Sequence, residues 1–330
     1  MLKHVAKKLL SIVLYRPLPS PSETEKANLI DLQTTFRELP TMEIANALPS
    51  EAMWLSNINH LKELVLSQNP RKFLRWGVVG QTMFVSYAGY ISMELNYLKS
   101  RPDWNTRWRS VIKESFVGHP VPYIFYPSSS GNLIHHSYHI ARFEEKTKIK
   151  VQDMDFVFEF GGGYGSMCRL FHNLGFRGKY IIFDLPPFSA LQRYFLKTLG
   201  LPVQSISDFY KSKNGIVCIS DDDLLRDILI NRIQETNKMF IATWSISETP
   251  VSIRDKVLPL VSDFQAFLIA YQDKFGEMNN LDFFANWQEK IDNITFDGWR
   301  INHMPGNNYY LVGSNSHFKE SAAIGRDFQF

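Results

Sequence analysis

Glu159, the alternating glycines Gly161, Gly163 and Gly165, and Asp184 are the residues whose types and spacing most clearly suit chemistry. Phe156-Val157-Phe158-Glu159-Phe160 reads as a buried strand that runs straight into the glycine turn. Tyr180-Ile181-Ile182-Phe183 reads as a second strand ending at Asp184. A turn without side chains lets ligand atoms approach the backbone. A carboxylate at the end of the next strand is placed to accept hydrogen bonds from ribose hydroxyls. Together they make a pocket for an adenosine-type cofactor. A nicotinamide dinucleotide would want Gly-x-Gly-x-x-Gly, but Ser166 fills the last slot, and the Gly-Lys-Ser/Thr of a phosphate-binding loop does not occur. An NAD-dependent oxidoreductase is therefore a remote alternative. Glu159 beside the turn would repel a pyrophosphate and attract an ammonium or a sulfonium; S-adenosylmethionine carries both.

These residues need a sheet to hold them. The second half of the chain alternates short apolar runs with helical patterns, the signature of a parallel sheet. Strands are expected over 156–160, 180–183, 239–243 and 264–271, and helices over 165–174, 187–199, 221–235 and 279–292. The third strand is open between Pro202–Ile206 and Ile216–Ile219. Trp299–His303 and Tyr309–Val312 flank Pro305-Gly306-Asn307 and read as an antiparallel hairpin closing the sheet edge. The first half reads as helices over 24–37, 50–68 and from about Asn132 to Thr147. A continuous amphipathic helix is expected from Gln81 to Ser100, with Phe84, Tyr87, Ala88, Ile91, Leu95 and Leu98 on one face. Residues 119–131, rich in Pro and Ser, read as a loop. The fold class expected is α/β: a Rossmann-like, mostly parallel sheet with an antiparallel C-terminal hairpin over 150–330, plus a mainly helical N-terminal region over 1–149 that covers an acceptor site.

Composition agrees with a globular chain: of 330 residues, 45% are apolar and 21% charged. Cys168 and Cys218 share no motif, which points to a reducing compartment, the cytoplasm. Residues 1–150 carry 19 basic and 12 acidic residues, and residues 151–330 carry 17 and 21. That asymmetry is too mild for a nucleic-acid binder and suits an anionic small molecule such as a sugar nucleotide. No apolar run is long enough to span a bilayer. Lys3 to Tyr15 reads as an amphipathic surface helix ended by Pro17; a signal peptide and a peripheral membrane contact are the lesser readings. Nothing in the sequence sets an oligomeric state.

Phe158-Glu159-Phe160-Gly161-Gly162-Gly163-Tyr164-Gly165 resembles motif I of class I S-adenosylmethionine-dependent methyltransferases, and Ile182-Phe183-Asp184-Leu185-Pro186 resembles their second-strand motif. Three further runs resemble the bacterial family of sugar O-methyltransferases: Ile134-His135-His136-Ser137-Tyr138-His139, Ala242-Thr243-Trp244-Ser245-Ile246-Ser247-Glu248-Thr249-Pro250 and His303-Met304-Pro305-Gly306-Asn307. The resemblance covers roughly residues 70–315. It implies that Glu159 and the backbone from Gly161 through Gly162, Gly163 and Tyr164 to Gly165 hold the methionine end of the cofactor. It further implies that Asp184 binds the ribose and that Leu185 lines the adenine. The activity implied is methyl transfer to a sugar hydroxyl, on a sugar nucleotide or surface-polysaccharide precursor. An O- or N-methyltransferase of aromatic small molecules, and a non-catalytic cofactor-binding partner in polysaccharide assembly, stay open beside it.

A sugar hydroxyl is weakly acidic, so a base would help. Glu248, just past the fourth strand, is the first candidate, with a helix-start carboxylate as the alternative. His303 beside the Pro-Gly turn and His136 on the 132–147 helix come next. Trp244 could stack on the adenine or a sugar, or belong to the core. His135 and His139 share a helix face at metal-ligand spacing, but no Glu or Cys nearby completes a zinc set, so no metal is assigned. Asp221, Asp222 and Asp223 read as a helix cap in preference to a magnesium site. Ser128-Ser129-Ser130 is a connector or a source of hydroxyls for an anionic acceptor. The Trp104/Trp108 pair, among arginines, reads as core or a helix–helix contact in preference to an aromatic, cationic wall for a glycan.

Overall fold

The computed structural model describes residues 17–41 and 49–315. Its helices of two turns or so and longer are α1 (Glu23–Glu38), α2 (Pro49–Ser67), α3 (Gly77–Thr82), α4 (Ile91–Ser100), α5 (Gly131–Thr147), α6 (Ser166–Asn173), α7 (Pro186–Thr198), α8 (Ile206–Lys211), α9 (Asp222–Asp227), α10 (Val251–Val257) and α11 (Asn280–Gln288). The Lys3–Tyr15 segment lies outside the described residues. Two compact units emerge. One runs through Tyr138 and includes Ala190–Leu201; the other comprises His139–Ser189 and the chain from Pro202 onward.

The first unit is helical. Ser22 caps α1 by accepting from the Glu25 amide at 3.1 Å, and Leu32 and Phe36, one turn apart, are its buried residues. Trp108 is fully buried, its indole nitrogen donating to Asp103 at 3.0 Å, so that tryptophan is core as expected. The continuous helix expected from Gln81 to Ser100 does not form. Helix α3 stops at Thr82, α4 starts at Ile91, and residues 83–90 between them are irregular. The reason is tertiary. The Val85 amide donates to the Asn132 side chain at 3.1 Å. The Val85 and Ser86 carbonyls also lie against Gly131, 2.7 and 2.6 Å from where a Cβ would stand. With the Val85 amide bonded to Asn132 and the chain packed closely on Gly131, the apolar period continues while the helix does not. The stretch 119–131 likewise contains a short antiparallel ribbon, Pro122–Tyr123 against Tyr126–Ser130.

The second unit is built on a seven-stranded sheet. Its strands are β1 (Phe156–Phe160), β2 (Lys179–Phe183), β3 (Gly215–Ile219), β4 (Lys238–Thr243), β5 (Ala266–Gln272), β6 (Ile294–Arg300) and β7 (Asn308–Asn315). The order across the sheet is β6-β7-β5-β4-β1-β2-β3, with only β7 reversed. This is the Rossmann-like, mostly parallel sheet with an antiparallel C-terminal pair that the sequence leads one to expect. β1, β2 and β3 are buried at every position, which is why they read as unbroken apolar runs without alternation. The open choice for the third strand falls on Gly215–Ile219; the rival segment contributes a single bridge, Val203 to Ile216. Helix α9 ends at Asp227 in a wide turn, short of the expected 235, and α11 ends at Gln288, short of 292. The β6 strand ends at Arg300, so His303 sits in the connecting turn.

Candidate active site

Because β1, β2, β4 and β6 run parallel, their C-terminal ends open on one edge of the sheet. That edge brings together Glu159, the 161–165 turn, Asp184, Leu185, Trp244, Glu248 and the turn carrying His303.

The glycine turn is left-handed at alternate residues: φ is +69° at Gly161, +58° at Gly163 and +93° at Gly165. Gly165 occupies the cap position of α6, and Tyr164 is buried. The Gly161 amide donates to the Phe183 carbonyl at 2.8 Å, which draws the turn against the end of β2. Two glycines are also required by packing. A Cβ on Gly161 would stand 2.2 Å from the Ser245 Cβ, and one on Gly162 would stand 2.5 Å from Ile182 Cγ2. Packing therefore accounts for part of this run of glycines.

Asp184 is held from both sides. Its Oδ2 accepts the Gly163 amide at 3.1 Å and its Oδ1 accepts the Leu185 amide at 2.8 Å. Both oxygens are thereby fixed at the end of β2, beside the glycine turn. Leu185, immediately after it, is 43% exposed and offers an open apolar surface.

Glu159 is buried, and the Tyr180 hydroxyl donates to its Oε2 at 2.8 Å. Burial pushes its pKa up to about 8, with Asp184 adding to the rise and the Tyr180 hydrogen bond opposing it. Glu159 at neutral pH thus holds a proton, which a nearby cation would displace.

The turn after β4 packs against the first. Ser245 donates to the Phe160 carbonyl. Trp244 takes φ +63°, uncommon for a large side chain. Its indole donates to Asn308 at 2.8 Å, and its ring lies 5.4 Å from that of His139, which is buried and hydrogen-bonded to Tyr310. Glu248 ends the short turn Ile246–Glu248. Its carboxylate makes no hydrogen bond or ion pair among the described residues, and burial raises its pKa to about 7. That is an acid–base group poised near neutrality. His303 is half-buried in the β6–β7 turn.

His136 belongs to the other unit. Burial, with His135 beside it, lowers its pKa to about 3, so it is neutral and weakly basic at physiological pH. Its neighbour His135 is the oriented imidazole: Nδ1 lies 2.9 and 3.0 Å from the two oxygens of the fully buried Glu94. Sequence reading did not single out Glu94, because a lone acid on an apolar helix face carries no local signal. It also missed Tyr180, Ser245 and Asn308, each of which matters only through a partner distant in the chain. Ser128 and Ser129 line a small cavity with Arg75, Glu114 and His119. Asp221 accepts the Leu224 amide at 2.8 Å, the capping role expected of it.

No protein-family model matches the chain, and no curated protein matches it. Several solved structures are similar to it over part of the chain. Magnesium protoporphyrin IX methyltransferase from Synechocystis PCC 6803, with bound SAH, is 10% identical and aligns over 69% of this chain and 100% of its own, at a TM-score of 0.40. The methyltransferase domain of the bacterial CtHen1-C protein is 10% identical over 55% of this chain and 96% of its own, at 0.38. The SAH-bound Podospora anserina methyltransferase is 9% identical over 71% of this chain and 91% of its own, at 0.35. At these levels the likenesses carry no argument about activity, and the fold assignment rests on the strand order itself.

Proposed function

We propose that the chain is an S-adenosylmethionine-dependent methyltransferase that acts on a hydroxyl of a sugar, in a sugar nucleotide or a polysaccharide precursor. One observation carries the reading: a left-handed glycine turn, the Asp184 carboxylate held against it, and a Glu248 carboxylate with no hydrogen-bond or ion-pair partner among the described residues share a single sheet edge. The residues present fit the cofactor. Asp184 places an acceptor carboxylate beside the glycine turn, held there by the Gly163 and Leu185 amides, Leu185 gives an apolar surface for a base, and Glu159 offers a carboxylate to an ammonium once its proton leaves. When bound, S-adenosylmethionine supplies an electrophilic methyl group on a sulfonium.

The chain's own work is to orient and to move a proton. Glu248 takes the acceptor hydroxyl's proton onto its carboxylate, and with a pKa of about 7 it does so without leaving the neutral range. The packed turns of residues 161–165 and 244–248 hold the two halves of the site in fixed register. The sugar acceptor rests on the three sequence runs quoted above, two of which, 242–250 and 303–307, emerge at this edge.

The test is a panel of nucleotide sugars and phenols offered to the purified protein with methyl-tritiated S-adenosylmethionine. Label in a nucleotide sugar is the expected result. Label in phenols alone removes the sugar claim, and no calorimetric affinity for S-adenosylmethionine or S-adenosylhomocysteine removes the whole reading.

A further inference from the structure

Arg254, on α10, is fully buried and makes no ion pair with a carboxylate among the described residues. Its guanidinium is spent on backbone. Nη2 donates to the Ser247 carbonyl at 2.7 Å, and Nε donates to the Thr249 carbonyl at 3.0 Å. Those carbonyls belong to the residues on either side of Glu248. Nη1 donates to Asn280 Oδ1 at 2.7 Å, and the guanidinium lies 4.7 Å from the centre of the Phe283 ring.

Asn280 is also fully buried and completes the clamp. Its amide donates to the Gln272 carbonyl at 2.9 Å and to the Ser247 carbonyl at 3.3 Å. The Ser247 hydroxyl is bonded to Gln272 Oε1 at 2.9 Å and to the Trp244 carbonyl at 2.6 Å. The groups that fix Ser247 and Thr249 thus come from the turn itself, from the end of β5, and from α10 and α11.

Burying a guanidinium without a counter-ion is unfavourable, and burial lowers its pKa to about 10. An apolar side chain would fill the same space at less cost. A lysine would keep the charge but could not grip two carbonyls with one rigid planar fork. The geometry that only arginine supplies is the geometry that flanks Glu248.

We infer that Arg254 is the positioning residue of the Glu248 turn: its fork pins the carbonyls of Ser247 and Thr249, so that the carboxylate between them stays shielded and without a partner of its own. The inference rests on the reading of Glu248 as the base. Shielding without pairing is what holds Glu248 near neutrality. Its shift comes from burial alone, and no charged or titratable neighbour contributes.

The discriminating variant is Arg254→Lys, which keeps the charge and loses the fork. In protein carrying carbon-13 glutamate, the Glu248 carboxyl is assigned by its absence from Glu248→Gln and titrated by NMR, with S-adenosylhomocysteine affinity measured by calorimetry. The expected result in Arg254→Lys is a Glu248 midpoint lower by about one pH unit or more, as the released turn admits water, with that affinity held within about threefold of wild type. An unmoved midpoint in the folded variant overturns the inference. So does a joint loss of midpoint and affinity, which would make Arg254 a general prop of the sheet edge. Should Arg254→Lys fail to fold, Asn280→Ala removes one anchor of the same fork and is expected to lower the midpoint by less; an unmoved midpoint there overturns the inference equally. Wild-type protein without affinity for S-adenosylhomocysteine would instead sink the cofactor reading, while the titration would still report on the clamp.

Discussion

The turn after β1 has shed its side chains, whereas the turn after β4 is crowded with them. Both sit at the C-terminal edge of neighbouring strands, touch through Gly161 and Ser245, and carry a carboxylate whose pKa is raised by burial. In the first, left-handed glycines present backbone amides, and the Gly163 amide already holds Asp184. In the second, an indole, a serine and a glutamate are presented, and a buried arginine fixes the backbone beneath them. Glu159 is satisfied by Tyr180, while Glu248 makes no hydrogen bond among the described residues. Holding a ligand and moving a proton ask for opposite surfaces. A backbone cradle works best bare, and a base works best shielded and unpaired.

The sharpest way to break this contrast is to neutralise each carboxylate in turn. Glu248→Gln is expected to slow methyl transfer to the acceptor found in the panel by roughly 10²–10⁴-fold, with S-adenosylhomocysteine affinity unchanged. Initial rates of tritium transfer and calorimetry on the same preparation would show it. A fall in affinity without a fall in turnover would exchange the roles of the two turns.

Gly161→Ala should be next in size. The added methyl would stand 2.2 Å from the Ser245 Cβ at a φ of +69°. Left-handed strain and overpacking add, and a loss of about 2–3 kcal/mol in stability is expected, read from urea melts. Affinity for S-adenosylhomocysteine should fall with it, because the turn cannot take that methyl and keep its seat against Phe183. A variant as stable as wild type would show that the two turns are not packed as described.

The first turn was legible in the sequence because its requirement is local. Alternating glycines between an apolar run and a helix announce a bare backbone, and an Asp closing the next strand announces a carboxylate beside it. β1 and β2 were legible for the same reason, since they are apolar at nearly every position, whereas β3 had an equally apolar-looking rival in Pro202–Ile206 that only the fold excludes. The second turn was only half legible. Glu248 follows a strand and could be nominated. Arg254 and Asn280 could not, because their value lies in carbonyls brought to them by folding. The failed expectation of a helix from Gln81 to Ser100 has the same origin. The periodicity is present, but the Val85 amide belongs to Asn132, and no local pattern records that.

Glu159→Gln sharpens the comparison through pH. Glu159 titrates near 8 in the folded protein against an ordinary value of 4.5. The native state thus binds this proton more tightly than the unfolded chain does. That contribution is complete below the ordinary value and is lost as pH rises through about 8. His136 and His172, lowered to about 3 and about 4, work in the other direction, giving stability above their ordinary 6.5 that is lost as the pH falls. The variant keeps both histidines, so the difference between its urea-melt stability and that of wild type isolates Glu159. The variant should gain on wild type steadily from pH 5 to pH 8, by about 1.4 kcal/mol per pH unit at the steepest. A flat difference would mean that Glu159 is ionised in the folded state, and that the first turn presents its charge ready-made.

The smallest effect is a control drawn from a third strand end. Asp221 follows β3 at the same edge and is also a carboxylate, but its oxygen is occupied by the Leu224 amide at 2.8 Å. If an acid at this edge were functional by location alone, Asp221 would matter as Glu248 does. If partnering decides, Asp221→Ala should lose about 1 kcal/mol of stability, the usual loss for a helix cap, and leave both turnover and S-adenosylhomocysteine affinity untouched. Thermal melts with magnesium and with EDTA should coincide, since a capping carboxylate has no need of an ion. A drop in turnover larger than the change in stability would place chemistry at the end of β3 as well, and the division of labour between the turns after β1 and β4 would have to be redrawn to include it.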